Sequence, residues 1–284
     1  MVEFVDLYPT TQTRPAPIYP WPTAGQSTIP AERPASSRVE YPESDGEPMA
    51  ETDTHRDQMT DALLHPLKER FRHDPNVYIS GNLLLYYQEG NRRACVAPDV
   101  FVVFGVPKRA RRTYKLWKEA KAPDVVFELT SKSTYRDDLG KKRLLYKELG
   151  VQEYFLFDPL REHLHPPLQG FYLLGGYYAP VGPDRFGEDE WEMHSEVLGL
   201  TLRTYGRILR LYDPERNHYL LTSPEEAQAR RDQARARRAA EARAAKAETR
   251  AAEAETRAAE EAEARRAAEA EIIQLRALLA HQSS

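Results

Sequence analysis

Apolar positions change their spacing several times along the chain, and each change predicts a different kind of element. Met59, Ala62, Leu63, Leu67 and Phe71 recur at three- and four-residue steps, which predicts a helix beginning near Thr54, its candidate cap, with one face on the core. From Asn76 the pattern becomes short runs rich in Val, Ile, Leu, Tyr and Phe, at 77–87, 100–106, 125–129 and 154–157. These predict strands. The run Val125-Val-Phe-Glu-Leu129 is interrupted only by Glu128, which predicts a strand covered on both faces. Between the last two runs, Leu139, Arg143, Tyr146 and Leu149 are spaced as one helical face, with Gly150 placed to end the helix. A β-helix-β unit follows, and with it an α/β fold. Residues 161–204 are punctuated by Gly170, Gly175, Gly176, Pro180, Gly182, Pro183 and Gly187, which predicts hairpins that extend or decorate the sheet.

The two ends of the chain carry no such core pattern. Residues 1–48 hold 9 of the 21 prolines with no sustained period, and residues 1–53 are expected to form a flexible, disordered leader. Residues 224–271 contain 20 alanines, 11 basic and 12 acidic side chains, and no glycine or proline after Pro224. That composition predicts a long C-terminal α-helix over 224–281, roughly 85 Å at 1.5 Å per residue, preceded by a linker at 211–223. An alanine stripe buries little area, so a coiled-coil-like pairing is expected, with Ile272, Leu275 and Leu279 as the seam. The partner of choice is a second copy, giving a homo-oligomer such as a dimer; the alternative is a solvated single helix.

Charge separates these regions. Residues 1–53 hold 3 basic and 9 acidic side chains, 54–223 hold 25 and 23, and 224–284 hold 12 and 12. The net charge of −4 therefore resides in the leader and does not argue against a nucleic-acid partner of the central domain. The single cysteine, Cys95, excludes an internal disulfide and a four-thiolate zinc site, and is expected to be a small apolar residue. No apolar stretch approaches the roughly 18 residues of a membrane span, so no membrane partner and a cytoplasmic location are expected.

Candidate chemistry gathers around Glu128, because a carboxylate inside an apolar strand is costly without a partner or a metal. Two Pro-Asp pairs precede strands: Pro98-Asp99 and Pro123-Asp124. Asp124 and Glu128 share a face but stand about 13 Å apart on one strand, too far to share a cation. Asp99, on a neighbouring strand, is the better partner. Two carboxylates, with water and phosphate completing the shell, suit Mg²⁺ or Mn²⁺. A lysine could orient the attacking water and stabilise developing charge. Lys142 is preferred, four residues before Tyr146 on one helical face, with Lys132 and Lys141 as competitors. Asp124, Tyr146, Tyr154 and Asp158 are expected to be packing or turn residues, and His55 an exposed residue of the first helix.

The run Ala122-Pro-Asp-Val-Val-Phe-Glu-Leu-Thr-Ser131, the helix Asp138-Leu-Gly-Lys-Lys142-Arg-Leu-Leu-Tyr146, and Gly150-Val-Gln-Glu-Tyr-Phe-Leu-Phe-Asp-Pro159 together resemble the Uma2 family (DUF820). The resemblance spans about residues 54–204, with Ser195-Glu-Val-Leu-Gly-Leu200 near its end. It implies a restriction-endonuclease-like mixed sheet of the PD-(D/E)XK type flanked by helices, with a nuclease domain at 54–210. It further implies Asp99 and Glu128 as metal ligands and Lys142 as the active-site lysine. Thr130 stands two residues after Glu128, where the parent motif has lysine, so the lysine must come from the helix.

Lys108, Arg109, Arg111, Arg112, Lys115, Lys118 and Lys121 place seven cations in 14 residues, with Tyr114 and Trp117 interleaved. Such a segment can neutralise phosphates and stack on a base, or it can be a solvated loop with its aromatics packed inward. The expected function is a Mg²⁺-dependent DNA endonuclease with a helical self-association arm. The alternative is a nuclease-like binding or scaffold protein without turnover.

Overall fold

The computed structural model describes residues 39–44 and 52–282, with side chains followed to residue 273. The rest of the expected leader lies outside the described residues, and so do the side chains of Leu275 and Leu279 of the expected seam. Among the described residues the chain divides into two units, meeting at Glu225 and Glu226.

The first unit opens with helix α1 (residues 53–70), α-helical at both ends and π-helical over Gln58–Leu64. Its cap is Thr52, two residues earlier than the apolar spacing suggested, and the Thr52 side chain accepts the His55 N–H at 3.3 Å. Met59, Ala62, Leu63 and Leu67 are buried as their spacing predicts. The following elements are β1 (Val77–Ser80), β2 (Leu85–Tyr86), β3 (Cys95–Val96), β4 (Val100–Phe104), β5 (Tyr114–Lys115), α2 (Leu116–Glu119) and β6 (Val125–Leu129). Then come α3 (residues 135–149, π-helical over Asp138–Lys142), β7 (Glu153–Phe157), β8 (Leu168–Leu174) and β9 (Tyr177–Val181). The unit closes with β10 (Asp184–Arg185), β11 (Trp191–Ser195), β12 (Leu200–Tyr205), β13 (Ile208–Asp213) and β14 (His218–Tyr219).

The strands form a six-stranded mixed sheet in the order β1-β4-β6-β7-β8-β9, a five-stranded antiparallel sheet β10 to β14, and a small sheet β3-β2-β5. Only β6 and β7 run parallel in the large sheet, joined by α3, which is the β-helix-β unit that the pattern predicts. Gly150 ends α3 at φ +80°, a conformation open to glycine at little cost. The β8–β9 hairpin extends the large sheet, while the later strands build a second one.

Every residue of β6 and of β7 is buried, because both faces of the sheet are covered. Val125, Phe127 and Leu129 face a core shared with α1 and with Leu200, Leu202, Leu209 and Leu211 of the second sheet. Val126 faces the other core, with Tyr146, Tyr154, Phe101 and Tyr114, and alternation sends Glu128 to that side, towards α3.

Two boundaries differ from the sequence expectation. Residues 211–223, expected to be a linker, contribute Leu211 and Leu220 to the core and pair Tyr212 with Tyr219 across the second sheet. Short alternating segments after a glycine-rich stretch carry too little periodicity to show this. Within the expected leader, Tyr41 packs 4.9 Å from Tyr86 and 5.3 Å from Trp117, and the Pro42 carbonyl accepts from the Tyr86 hydroxyl. A few aromatic anchors hold this segment, with no repeating pattern for a periodicity search to find.

Helix α4 (Ser223–Gln282) spans 60 residues, about 90 Å at 1.5 Å per residue. Its described side chains from Gln228 to Ile273 are exposed, and Ile272 and Ile273 are among the large apolar ones. No described helix is long and apolar enough to cross a membrane.

Candidate active site

The centre of the site is the last turn of β6. Glu128 is 2% exposed, and its two carboxylate oxygens are held separately. Oε1 accepts the Tyr146 hydroxyl at 2.6 Å, and Oε2 accepts the Lys142 ammonium at 2.9 Å. Both donors lie on α3, four residues apart, so one helical face grips one carboxylate. Lys142 also lies 2.9 Å from Asp138 Oδ1, placing the ammonium between two buried carboxylates. Tyr154 donates to the Asp138 carbonyl, which ties the start of the π-helical turn to β7.

Asp99 reaches the same place from the neighbouring strand. It immediately precedes β4, and its Oδ2 accepts the Leu129 N–H at 2.7 Å, one residue past Glu128. The backbone there tolerates nothing larger than Gly81: a Cβ at that position would sit 2.3 Å from the Asp99 carbonyl oxygen. Asn82 N–H, next in the chain, donates to the Pro98 carbonyl. Chain passing closely over Pro98 and Asp99 therefore fixes one carboxylate against the other.

Burial pushes the Asp99 carboxyl up to about 6, opposed by Lys142 and by the Leu129 N–H. Burial likewise raises Glu128 to about 7, against the pull of Lys142, and Asp99 adds repulsion. Asp138 rises to about 6, from burial and from the Glu128 charge. Burial alone would lower the Lys142 ammonium, but Glu128, Asp138 and Asp99 together hold it above its ordinary value. Three carboxylates and one ammonium carry a formal charge of −2 when ionised. A small divalent cation matches both that charge and the hard oxygen donors. Among the described residues no three His, Cys, Asp or Glu side chains are grouped to hold a metal ion by themselves. Asp99 and Glu128 carry the hard oxygen donors that such an ion would take.

The structure thus brings together Asp99, Glu128 and Lys142. Lys141 is exposed and pairs with Asp137, and Lys132 is exposed, so neither competitor reaches Glu128 as Lys142 does. Asp124, on the same face of β6, is tied by the Phe104 N–H, by Gln152 and by Lys121. Asp158 accepts four backbone N–H groups of residues 160–164, a turn residue as expected.

Three placements were not anticipated. Asp138 escaped notice because a helix-start aspartate reads as a solvated cap; its i, i+4 relation to Lys142 is the signal that could have found it. Tyr146 packs as expected and also binds Glu128 directly. His55 is buried, not exposed: it bridges the Thr52 hydroxyl at 2.7 Å and the Thr130 carbonyl at 3.1 Å. A carbonyl only accepts, so Nε2 carries the proton. His55 stands four residues before the buried Met59 on the α-helical first turn of α1, and that i, i+4 relation is the signal that could have placed it inward.

The basic segment is not one free surface. Arg109 and Arg111 both pair with Glu119, and Arg111 is buried over the Tyr78 ring. Arg112 pairs with Glu43, and Lys115 lies over Tyr41. Tyr114 is fully buried and Trp117 packs on Tyr41, so the interleaved aromatics are committed to packing. Lys108 follows the C-terminal end of β4, whereas Asp99 precedes its N-terminal end.

No protein of curated function matches the chain significantly. A crystal structure from Anabaena variabilis ATCC 29413, described as a putative nuclease belonging to DUF820, is similar at 14% identity and a TM-score of 0.36, over 47% of this chain and 70% of that one. The Uma2 family model, described as "Putative restriction endonuclease", matches residues 27–206. That match holds the whole carboxylate–lysine cluster and begins well before the helix at which the sequence resemblance started. The chain belongs to the Uma2 family.

Proposed function

We propose that this protein is a DNA endonuclease dependent on Mg²⁺ or Mn²⁺, with Asp99 and Glu128 as metal ligands and Lys142 as the lysine that acts on the attacking water and the phosphate. One observation carries the reading: Glu128, buried in an otherwise apolar strand, is met there by a lysine, a tyrosine and two further carboxylates. Perturbed carboxylates beside a specific charge partner are characteristic of functional sites. A bound dication would polarise the scissile phosphate and lower the pKa of the attacking water. Tyr146 fixes the orientation of Glu128, and Asp138 holds the Lys142 ammonium at the edge of the carboxylate pair. The Glu128, Asp138 and Asp99 charges raise the affinity of Lys142 for its proton, which suits a group that orients water and stabilises phosphate charge. The long helix supplies a self-association arm through its C-terminal end, and a cytoplasmic enzyme is the fitting context.

Incubation of supercoiled plasmid with Mg²⁺ or Mn²⁺ tests the reading: nicked or linear product is expected from the wild type and not from Asp99→Asn or Glu128→Gln. Product undiminished in both variants overturns the site. A second reading, a nuclease-like binding protein without turnover, is favoured by one feature, the Lys142 ammonium that already counters Glu128 and Asp138. Duplex binding with no metal-dependent heat in calorimetry would select it.

A further inference from the structure

At the opposite end of β1 and β4 from the carboxylates lies a cavity of about 400 Å³, lined by Lys68 and Arg72 at the end of α1, Tyr78 of β1, and Lys108 and Arg109 after β4. Strand pairing sets its place, since Val77 lies opposite Phe104 at this end of the sheet and Ser80 opposite Phe101 at the other. Five residues of β4 separate it from Asp99, roughly 17 Å along the strand. Four cations line it against one carboxylate, Glu69, which pairs with Arg72 at 3.6 Å. Arg109 is also compensated, by Glu119.

Lys68 and Lys108 are not. Neither makes an ion pair with a carboxylate among the described residues. The Lys108 ammonium donates to the Phe71 and Arg72 carbonyls, using two of its three N–H groups and leaving one for a ligand. Those carbonyls also end helix α1, so the ammonium is held in place by the chain itself. Lys68 and Lys108 are exposed at the rim of the cleft, where partial desolvation and the Lys108 charge lower the affinity of Lys68 for its proton. Two neighbouring ammonium groups without a counter-charge, in a concave site wide enough for a nucleotide-sized group, call for an anion with several acceptor oxygens.

We propose that this cleft is a phosphate-binding site, separate from the carboxylate cluster, that takes a backbone phosphate of a nucleic acid bound to the protein or the phosphate of a small molecule. The inference goes beyond the cleavage reading and needs no metal, so it is tested in EDTA. Anisotropy of a fluorescent duplex, measured across a salt series, is compared for wild type, Lys68→Glu, Lys68→Arg and Arg207→Glu, the last an equal charge change on the exposed β12–β13 turn. Lys68 is chosen because its side chain makes no described bond, whereas Lys108 holds a helix end.

A backbone phosphate predicts about tenfold weaker binding for Lys68→Glu, a salt slope smaller by about 1, and recovery in Lys68→Arg. A free phosphate predicts unchanged duplex binding, but a rise in melting temperature with inorganic phosphate over chloride of equal ionic strength that Lys68→Glu abolishes. Either result supports the site and names its source. Lys68→Glu matching Arg207→Glu in duplex binding, with no phosphate-specific stabilisation of the wild type, overturns it. A protein that binds duplex through Lys68 and never cuts it keeps this site and loses the nuclease reading.

Discussion

Glu128 and Glu153 are buried glutamates on adjacent parallel strands, and burial raises both to about 7. They face opposite sides of the sheet. Glu153 looks towards the second sheet, where it accepts the Ser195 hydroxyl and the Val197 N–H; its hydrogen-bond partners are neutral. Glu128 looks towards α3, where it meets Lys142 and Tyr146 with Asp99 and Asp138 nearby. Desolvation alone therefore does not distinguish the carboxylate proposed for function from one that joins two sheets. What distinguishes them is the company: a carboxylate that only joins two sheets needs donors, whereas one prepared for a cation sits among charges that are incompletely balanced without it.

The sharpest way to break this comparison is to neutralise each glutamate without changing its shape. Glu128→Gln is expected to lower cleavage by at least about 10²–10³-fold, the scale seen when one preorganised electrostatic group is removed. Glu153→Gln should leave the rate of the folded protein within about twofold, because its contacts are remote from Asp99 and Lys142. Equal rate losses in the two variants would end the distinction. Gly81→Ala comes next. Its Cβ would lie 2.3 Å from the Asp99 carbonyl oxygen, and backbone cannot yield as a side-chain tip can. We expect roughly 1–3 kcal/mol of destabilisation, as for an overpacked core, together with weaker Mn²⁺ binding in calorimetry. An alanine variant with unchanged urea midpoint and Mn²⁺ affinity would show that this close approach does not position Asp99. Ser195→Ala removes one donor to Glu153 and the acceptor of the Leu198 N–H, and a stability loss of similar size, about 1–3 kcal/mol in urea unfolding, is expected with no weakening of Mn²⁺ binding and with cleavage by the remaining folded protein unaltered.

The sequence made much of this arrangement legible, and the reason differs from element to element. β6 could be read because a five-residue apolar run broken by a single glutamate fits a strand covered on both faces and little else, and α3 because Leu139, Tyr146 and Gly150 obey helical spacing and helix ending. Asp99 could be chosen over Asp124 by reach alone, since a strand advances too far in four residues. Asp138 and His55 could not be read so easily. Asp138 begins a π-helical turn, where 3.6-residue spacing is a poorer guide to direction, and a polar residue near a helix start such as His55 reads as solvated although it stands four residues before the buried Met59. The second sheet was legible only as hairpins: the two-residue turn at Gly206 and Arg207 pairs β12 with β13 locally, but the packing of that sheet on α1 rests on contacts distant in sequence. Gln58, on α1, both donates to and accepts from Leu209 of β13, a link across 151 residues that no local pattern encodes.

The smallest expected effect separates the two glutamates by pH. A carboxyl whose folded value lies above its unfolded one binds more protons in the folded state, so its contribution to stability is full below about 4 and is lost as pH rises through the folded value. Asp99, Asp138, Glu128 and Glu153 all act in this direction, with folded values of about 6, 6, 7 and 7. In EDTA the melting temperature should therefore fall between pH 5 and 8. A dication competes with protons only where it can bind. Mg²⁺ or Mn²⁺ should restore little at pH 5 and progressively more towards pH 8, as the carboxylates of the Glu128 cluster ionise. Glu128→Gln should abolish that metal increment, while Glu153→Gln should keep it and flatten the remaining slope in EDTA. A metal increment that is the same at pH 5 and pH 8, or that survives in Glu128→Gln, would place the cation somewhere other than between Asp99 and Glu128.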